Sequence, residues 1–250
     1  MKTQAPFSLT MEAEANATDI YGIIVAAGQS RRMGGKSKIW MSFQGRPVLE
    51  WTLRRFRAAG VFKGVVAAQP CDHDAIQGLA ASLGMAMRPV AGGAERYLSV
   101  REGLRELREA QSDDIILIHD AARFLVPRDL IERVITAAIA MGAALPVVEV
   151  VDTVKAVSSD GLVERTVPRR ELGLAQTPQG FQKAVIEEAY RQWAWERVPT
   201  DDAEVAESAG FPVRAVAGDR LNQKLTRLED IGWFDAMLKG LMEHEAGTGI

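Results

Sequence analysis

The run Ala26-Ala27-Gly28-Gln29-Ser30-Arg31-Arg32-Met33-Gly34-Gly35-Lys36-Ser37-Lys38 sets small residues beside two arginines and two lysines. Small residues let a nucleotide approach the backbone and leave N–H groups exposed, while the cations offer charge to polyphosphate oxygens. Phosphoryl chemistry is the class of reaction this loop suits. Gly35-Lys36-Ser37 imitates the end of a G-x-x-x-x-G-K-[ST] phosphate loop, but Ser30 replaces the first glycine of that motif. A P-loop NTPase is therefore only a distant alternative. Asp120 closes the apolar run Ile115-Ile116-Leu117-Ile118-His119. A carboxylate emerging there could meet a ribose or hold Mg²⁺, or simply cap the next helix. Cys71-Asp72-His73-Asp74 has metal-binding residue types, yet consecutive residues do not easily converge on one ion. A helix start with acids near its positive end accounts for them better.

These groups need a scaffold, and the hydrophobic pattern supplies one. Strands are predicted over 20–27, 61–68, 86–90, 115–118 and 143–150. Helices are predicted between them: one opened by Pro47 and closed by Gly60, then 72–83, 96–107, and one opened by Pro127. The runs at 20–27 and 115–118 are apolar on both faces, as buried strands of a parallel sheet must be. The expected fold is α/β, a three-layer Rossmann-like, mostly parallel sheet with helices on both faces. Ligands in such sheets lie beyond the carboxyl ends of the strands, which points to 28–38 and 120–123. Two β-like segments, 151–157 and 162–167, flank the turn Ser158-Ser159-Asp160-Gly161 and predict a β-arm over about 149–172 projecting from the sheet. Beyond it come helices at 183–195 and 201–209, a strand at 213–217 and a last helix. That helix is capped by Thr226-x-x-Glu229 and carries Leu228, Ile231, Leu238 and Leu241 on its apolar side.

Residues 20–250 are expected to form one domain behind a loose leader of 19 residues. The leader carries Glu12 and Glu14 and has no apolar signal region. Thirty Lys+Arg against 33 Asp+Glu give a net charge of −3, which argues against a general nucleic-acid-binding surface. No run approaches the roughly 18 apolar residues of a membrane span. Neither nucleic acid nor membrane is an expected partner. The single Cys71 cannot form an internal disulfide, which fits a reducing, cytoplasmic setting.

The segments Ala26-Ala27-Gly28-x-Ser30-x-Arg32-Met33 with Lys38, Gly92-Gly93-x-x-Arg96-x-x-Ser99, His119-Asp120-Ala121-Ala122-Arg123 and Asp152-Thr153-Val154-Lys155 occur in this order. Gln176-Thr177-Pro178-Gln179-x-Phe181, Thr200-Asp201-Asp202-Ala203 and Asn222-x-Lys224-Leu225-Thr226 follow. The ordered set resembles the 2-C-methyl-D-erythritol 4-phosphate cytidylyltransferase family of sugar-phosphate nucleotidyltransferases. The resemblance implies an Mg²⁺-dependent transfer of CMP from CTP to methylerythritol phosphate in non-mevalonate isoprenoid synthesis. It implies that Arg32 and Lys38 stabilise charge developing on the triphosphate, and that Arg169 and Lys224 position the acceptor. Ala26, Ala27, Gly28, Gly92, Gly93, Ser99, Asp120 and Ala121 would hold the nucleotide. Arg123 and Thr153 would face the acceptor, and Asp120 is the candidate metal ligand. It also implies a homodimer in which the β-arm grips a second subunit and lends it Arg169. Phe124 departs from the family's usual proline after Arg123, and Ser37 and Ile39 flank Lys38 where proline and glutamine are usual. Much the same machinery would serve another polyol phosphate such as ribitol 5-phosphate. A nucleotide-binding module without turnover is the alternative from a different class.

Overall fold

Ile20-Tyr21-Gly22-Ile23-Ile24-Val25 can be buried on both faces only as a central strand, and it forms one: β1 (Ile20–Val25). The computed structural model describes residues 18–28 and 37–247. The predicted leader, apart from its last two residues, and the stretch 29–36 with Arg32 lie outside the described residues. After β1 come the two-residue strands β2 (Ser42–Phe43) and β3 (Arg46–Pro47), α1 (Val48–Ala58), β4 (Lys63–Ala68), α2 (His73–Ser82) and β5 (Ala86–Ala91). α3 (Arg96–Glu106), β6 (Ile115–Asp120), α4 (Arg128–Met141) and β7 (Ala143–Glu149) complete the first half. The arm is β8 (Val154–Val157) and β9 (Val163–Val167), paired antiparallel as a separate hairpin. Then follow β10 (Gly173–Ala175), β11 (Gln179–Gln182), α5 (Lys183–Gln192), α6 (Asp202–Ser208), β12 (Arg214–Ala217) and α7 (Ile231–Gly247).

The main sheet runs β10-β7-β11-β6-β1-β4-β5, with β12 parallel to β7. β5, β4, β1 and β6 are all parallel neighbours. β11 enters antiparallel between β6 and β7. One apolar cluster buries Leu49, Leu53 and Phe56 of α1, Ile76 of α2 and Leu130, Ile131 and Val134 of α4 against one face of the sheet. A second buries Val100 and Leu104 of α3, Ile186 of α5 and Val205 of α6 against the other. This is the expected three-layer α/β arrangement. Alternate residues of β6 feed the two clusters, Ile115 and Leu117 one and Ile116 and Ile118 the other, so the strand has no polar side chain until His119 and Asp120 at its end.

Three expectations need correction. β10 and β11 were not anticipated; they are three and four residues long, and their glycines and glutamines carry no strand periodicity. The cap before α7 is made by Asp230, whose Oδ2 accepts from Thr226 N, Thr226 Oγ1 and Arg227 N, and Glu229 has no part in it. Leu228 lies in the short 3₁₀ turn ahead of α7 and is 56% exposed, while Ile231, Leu238 and Leu241 do pack inward. Their partners are Phe43, Trp51, Phe124 and Phe234, and Phe124 sits with its ring centroid 5.0 Å from Phe43 and 4.9 Å from Phe234. The departure from proline at 124 therefore seats an aromatic ring that fastens α7 to the end of β6.

Candidate active site

Register brings the carboxyl ends of β1, β4, β5 and β6 together: Val25 pairs with Ala67 and with Asp120, and Ala68 pairs with Ala91. The chain leaves each strand by a backbone bond to its neighbour, Ala26 N to Ala67 O at 2.8 Å, Gly92 N to Ala68 O at 2.8 Å and Ala121 N to Val25 O at 3.0 Å. Beyond these ends opens a cavity of about 330 Å³. Ala26–Gly28, Lys38, Gly92–Arg96, Ser99, Asp120–Ala122 and Lys224 line it. Gly92 has a steric reason to be glycine: a Cβ there would sit 2.1 Å from the Ala27 Cβ. Ser99 is buried at the first turn of α3, where its Oγ accepts from Gly93 N at 3.1 Å and fixes the loop that lines the cavity. A helix-surface serine would be exposed.

Asp120 is the electrostatic hub. Its Oδ1 accepts from Arg96 Nε at 2.9 Å, its Oδ2 accepts from Lys224 Nζ at 2.7 Å, and Arg123 Nε lies 4.0 Å away. Burial opposes the carboxylate charge, but Arg96 and then Lys224 outweigh it and hold Asp120 well below the usual carboxylate range. Arg123 is turned toward Asn222, donating from Nη1 to its carbonyl at 2.8 Å, and Lys38 Nζ reaches Leu225 O at 3.3 Å. Leu225 N in turn donates to Ala122 O at 2.9 Å. The segment 222–225 is thus tied to 121–123 and to Lys38, although it is about 100 residues away in sequence. The result is a small-residue cradle on one side and a group of cations on the other, with Asp120 linking Arg96 to Lys224.

The family model of 2-C-methyl-D-erythritol 4-phosphate cytidylyltransferase matches residues 20–240. The chain belongs to that family. A bifunctional enzyme IspD/IspF from Rhodopseudomonas palustris is 44% identical over 241 residues, covering 94% of this chain and 60% of the relative. The chain thus spans about 60% of the length of the bifunctional relatives it matches. A 2-C-methyl-D-erythritol 4-phosphate cytidylyltransferase from Frankia casuarinae is 42% identical, covering 88% of this chain and 81% of the relative. Among solved structures, the 4-diphosphocytidyl-2C-methyl-D-erythritol synthase of Anaerococcus prevotii superposes with a TM-score of 0.79 at 30% identity, over 89% of this chain and 96% of that one.

Of the residues the family resemblance singled out, Ala26, Ala27, Gly28, Lys38, Gly92, Gly93, Ser99, Asp120, Ala121 and Lys224 line the one cavity. Arg123 backs it through Asp120 and Asn222. Arg169 and Thr153 do not line it: both are exposed on the arm, where Arg169 Nη1 donates to Val151 O. Both oxygens of Asp120, the candidate metal ligand, accept from cations here, one from Arg96 and one from Lys224. No group of three or more His, Cys, Asp or Glu suited to a metal occurs among the described residues. Cys71-Asp72-His73-Asp74 leads into α2 as expected, with Asp72 Oδ1 accepting from Trp40 Nε1 at 2.7 Å. Asp201 caps α6, accepting from Glu204 N at 2.9 Å, but Asp202 beside it is not a cap. It is fully buried and joins Arg96 Nη1 to the Tyr190 hydroxyl, each at 2.7 Å. Sequence reasoning missed this link; its one signal was a tyrosine on the buried stripe of α5.

Behind Asp120 runs a chain of hydrogen bonds with one consistent proton arrangement. Asp120 N donates to Thr177 Oγ1 at 3.1 Å, the Thr177 hydroxyl lies 3.0 Å from His119 Nδ1, and His119 Nε2 lies 3.2 Å from Arg123 O. Each donor finds an acceptor only if His119 is neutral with its proton on Nε2. Burial, opposed by Asp120 and aided by Arg123, pushes its pKa down to about 3. The unfolded chain therefore takes up a proton below about pH 6.5 that the folded protein refuses. Stability should be complete above that pH and fall as the pH drops toward 3, by at most about 1.4 kcal/mol per unit from this group. Urea unfolding between pH 7.5 and 4.5 tests this: His119→Gln should flatten the slope, and an unchanged slope would refute it.

Proposed function

We propose that this protein transfers CMP from CTP to 2-C-methyl-D-erythritol 4-phosphate and releases pyrophosphate, a step of isoprenoid precursor synthesis. The observation that carries the reading is the meeting of Lys38 and Lys224 with the small-residue cradle Ala26–Gly28, Gly92–Ala94 and Ser99 in one cavity of a member of this family. A phosphate oxygen of the acceptor attacks the α-phosphorus of CTP. The bond from that phosphorus to the bridging oxygen breaks, and its electron pair leaves with pyrophosphate. Such a reaction asks the protein mainly for positioning and charge stabilisation. Arg32 and Lys38 act on the triphosphate; Lys224, Arg123, Thr153 and Arg169 act on the acceptor. The backbone of the two loops and Ser99 hold the nucleotide, with Ala121 under it and Asp120 keeping the cations placed. The family implies a divalent cation, and Mg²⁺ is our assignment. No helix among the described residues is long and apolar enough to cross a membrane, and we place the enzyme in the cytoplasm.

A pyrophosphate-release assay with CTP and Mg²⁺ tests the activity. Release with methylerythritol phosphate supports the reading. Release only with ribitol 5-phosphate transfers the chemistry to another polyol, and no release with either refutes it.

The arm enters this reading as a dimer contact. Val157, Leu162 and Val163 are 56%, 67% and 62% exposed on it, and Arg169 stands away from its own chain's cavity. Both features support an arm that packs on a second subunit and completes its site. If so, Arg169→Ala should impair acceptor use while CTP binding survives. Mixing unfolded-and-refolded Arg169→Ala with Lys38→Ala should restore up to about a quarter of wild-type activity, through mixed dimers holding one intact site. No recovery in verified mixed dimers would count against a site shared between subunits.

A further inference from the structure

Two buried carboxylates share one guanidinium at the inner wall of the cavity. Arg96, the first residue of α3, donates from Nε to Asp120 Oδ1 at 2.9 Å and from Nη1 to Asp202 Oδ2 at 2.7 Å. Asp202 is itself immovable. Its other oxygen accepts from the Tyr190 hydroxyl at 2.7 Å, and Gln179 Oε1 accepts from Asp202 N at 3.1 Å and Ala203 N at 2.9 Å. The chain of contacts therefore runs from Tyr190 on α5 through Asp202 on α6, Arg96 on α3 and Asp120 on β6 to Lys224, the last pair at 2.7 Å.

A buried ion pair is seldom a net gain over apolar residues of the same volume, so stability alone is a poor reason for this one. What the arrangement does achieve is orientation. With Oδ1 held by Arg96, the Asp120 carboxylate cannot turn, and Oδ2 faces Lys224. Asp202 balances the Arg96 charge, which leaves the Asp120 charge for Lys224. Burial works against the Arg96 charge, but Asp202 and Asp120 together keep it above its ordinary pKa.

We infer that Arg96, anchored by Asp202 and Tyr190, is a positioning residue that sets the Lys224 ammonium through Asp120. The inference rests on the transfer reaction proposed above, in which Lys224 serves the acceptor. It does not require Arg96 to touch substrate.

Three variants test it: Asp202→Asn keeps the shape and drops the charge, Tyr190→Phe removes one hydroxyl, and Arg96→Lys keeps the charge but cannot bridge two carboxylates. For Asp202→Asn and Arg96→Lys we expect the KM for acceptor to rise about 5–10-fold and kcat to fall about 10-fold, with the KM for CTP within about 3-fold of wild type. Tyr190→Phe, one step further out, should show the same pattern at about 2–3-fold. A merely structural role would lower Tm and the fraction of active sites and leave both KM values alone; that outcome in all three variants overturns the inference. Crystal structures of Asp202→Asn and Tyr190→Phe give a readout independent of turnover. A rotated Asp120 with Lys224 released supports the inference, and an unchanged Asp120–Lys224 pair in both refutes it. If wild type makes no pyrophosphate, the reaction is wrong, and these structures still decide the anchoring.

Discussion

Lys38→Ala should lower kcat by about 10²–10³-fold while the fold stays intact. Lys38 opens the 3₁₀ turn Lys38–Trp40 at the cavity wall, and its Nζ already touches the backbone of the 222–225 segment at Leu225 O. It brings charge to a cavity partly enclosed by protein, where a cation acts with less screening than in bulk water. In the proposed transfer, negative charge accumulates on the departing pyrophosphate, and a lysine placed there lowers the barrier more than it stabilises bound CTP. The effect should therefore fall on kcat, with the CTP dissociation constant changed by about 10-fold or less. Ile39 beside it is buried in the core, so circular dichroism and Tm should be those of the wild type. Single-turnover rates with saturating CTP provide the measurement. A wild-type rate would remove Lys38 from the mechanism.

The second large effect is expected at Asp120. Asp120→Asn leaves the shape but takes away the one charge that holds Arg96, Lys224 and Arg123 together. Breaking a buried ion pair from one side costs about 3–5 kcal/mol, and the lower end applies here because Asp202 still pairs with Arg96 and Lys224 is partly exposed. In a chain of this size that lowers Tm by about 10 °C. Activity should fall about 10²–10³-fold as well, since Lys224 is no longer placed. Adding Lys224→Met separates the two losses. The double variant should regain part of the Tm, one excess cation having been removed, yet regain no turnover. If Asp120→Asn melts like the wild type and keeps its acceptor KM, the hub assignment fails.

The parts of the fold that could be read in advance are those with strong local periodicity. β1 and β6 are unbroken apolar runs, and prolines 47 and 127 stand at the N-caps of α1 and α4 as their fixed φ predicts. The cavity followed from the rule that parallel strands offer ligands their carboxyl ends. β11 escaped because Gln179-Gly180-Phe181-Gln182 gains its stability from being flanked by β6 and β7, a tertiary effect without a local signature. The bridge from Arg96 to Asp202 escaped for a related reason: its ends lie 106 residues apart and meet only once α3 and α6 pack on the same face. Asp202 follows Asp201, and a pair of acids at a helix start looks alike in sequence whether the residues cap or are buried. The Asp230 cap shows the same limit on a smaller scale, since the sequence offers two adjacent acids and only backbone geometry chooses between them.

The pairing of Lys224 with Asp120 means that, in the proposed reaction, the cavity meets its ligand with one cation already matched to an anion of its own. Chloride offers the lysine no more charge than the carboxylate does, and it lacks the advantage of being tethered. A phosphate monoester carries nearly two charges and can take the Lys224 donors that Asp120 leaves open, so it binds without undoing the Asp120–Lys224 pair. In the proposed reaction this favours multiply charged ligands before any sugar or base is recognised. The same pairing lets the cations wait close together without repelling one another, so the empty site keeps the shape it needs when filled.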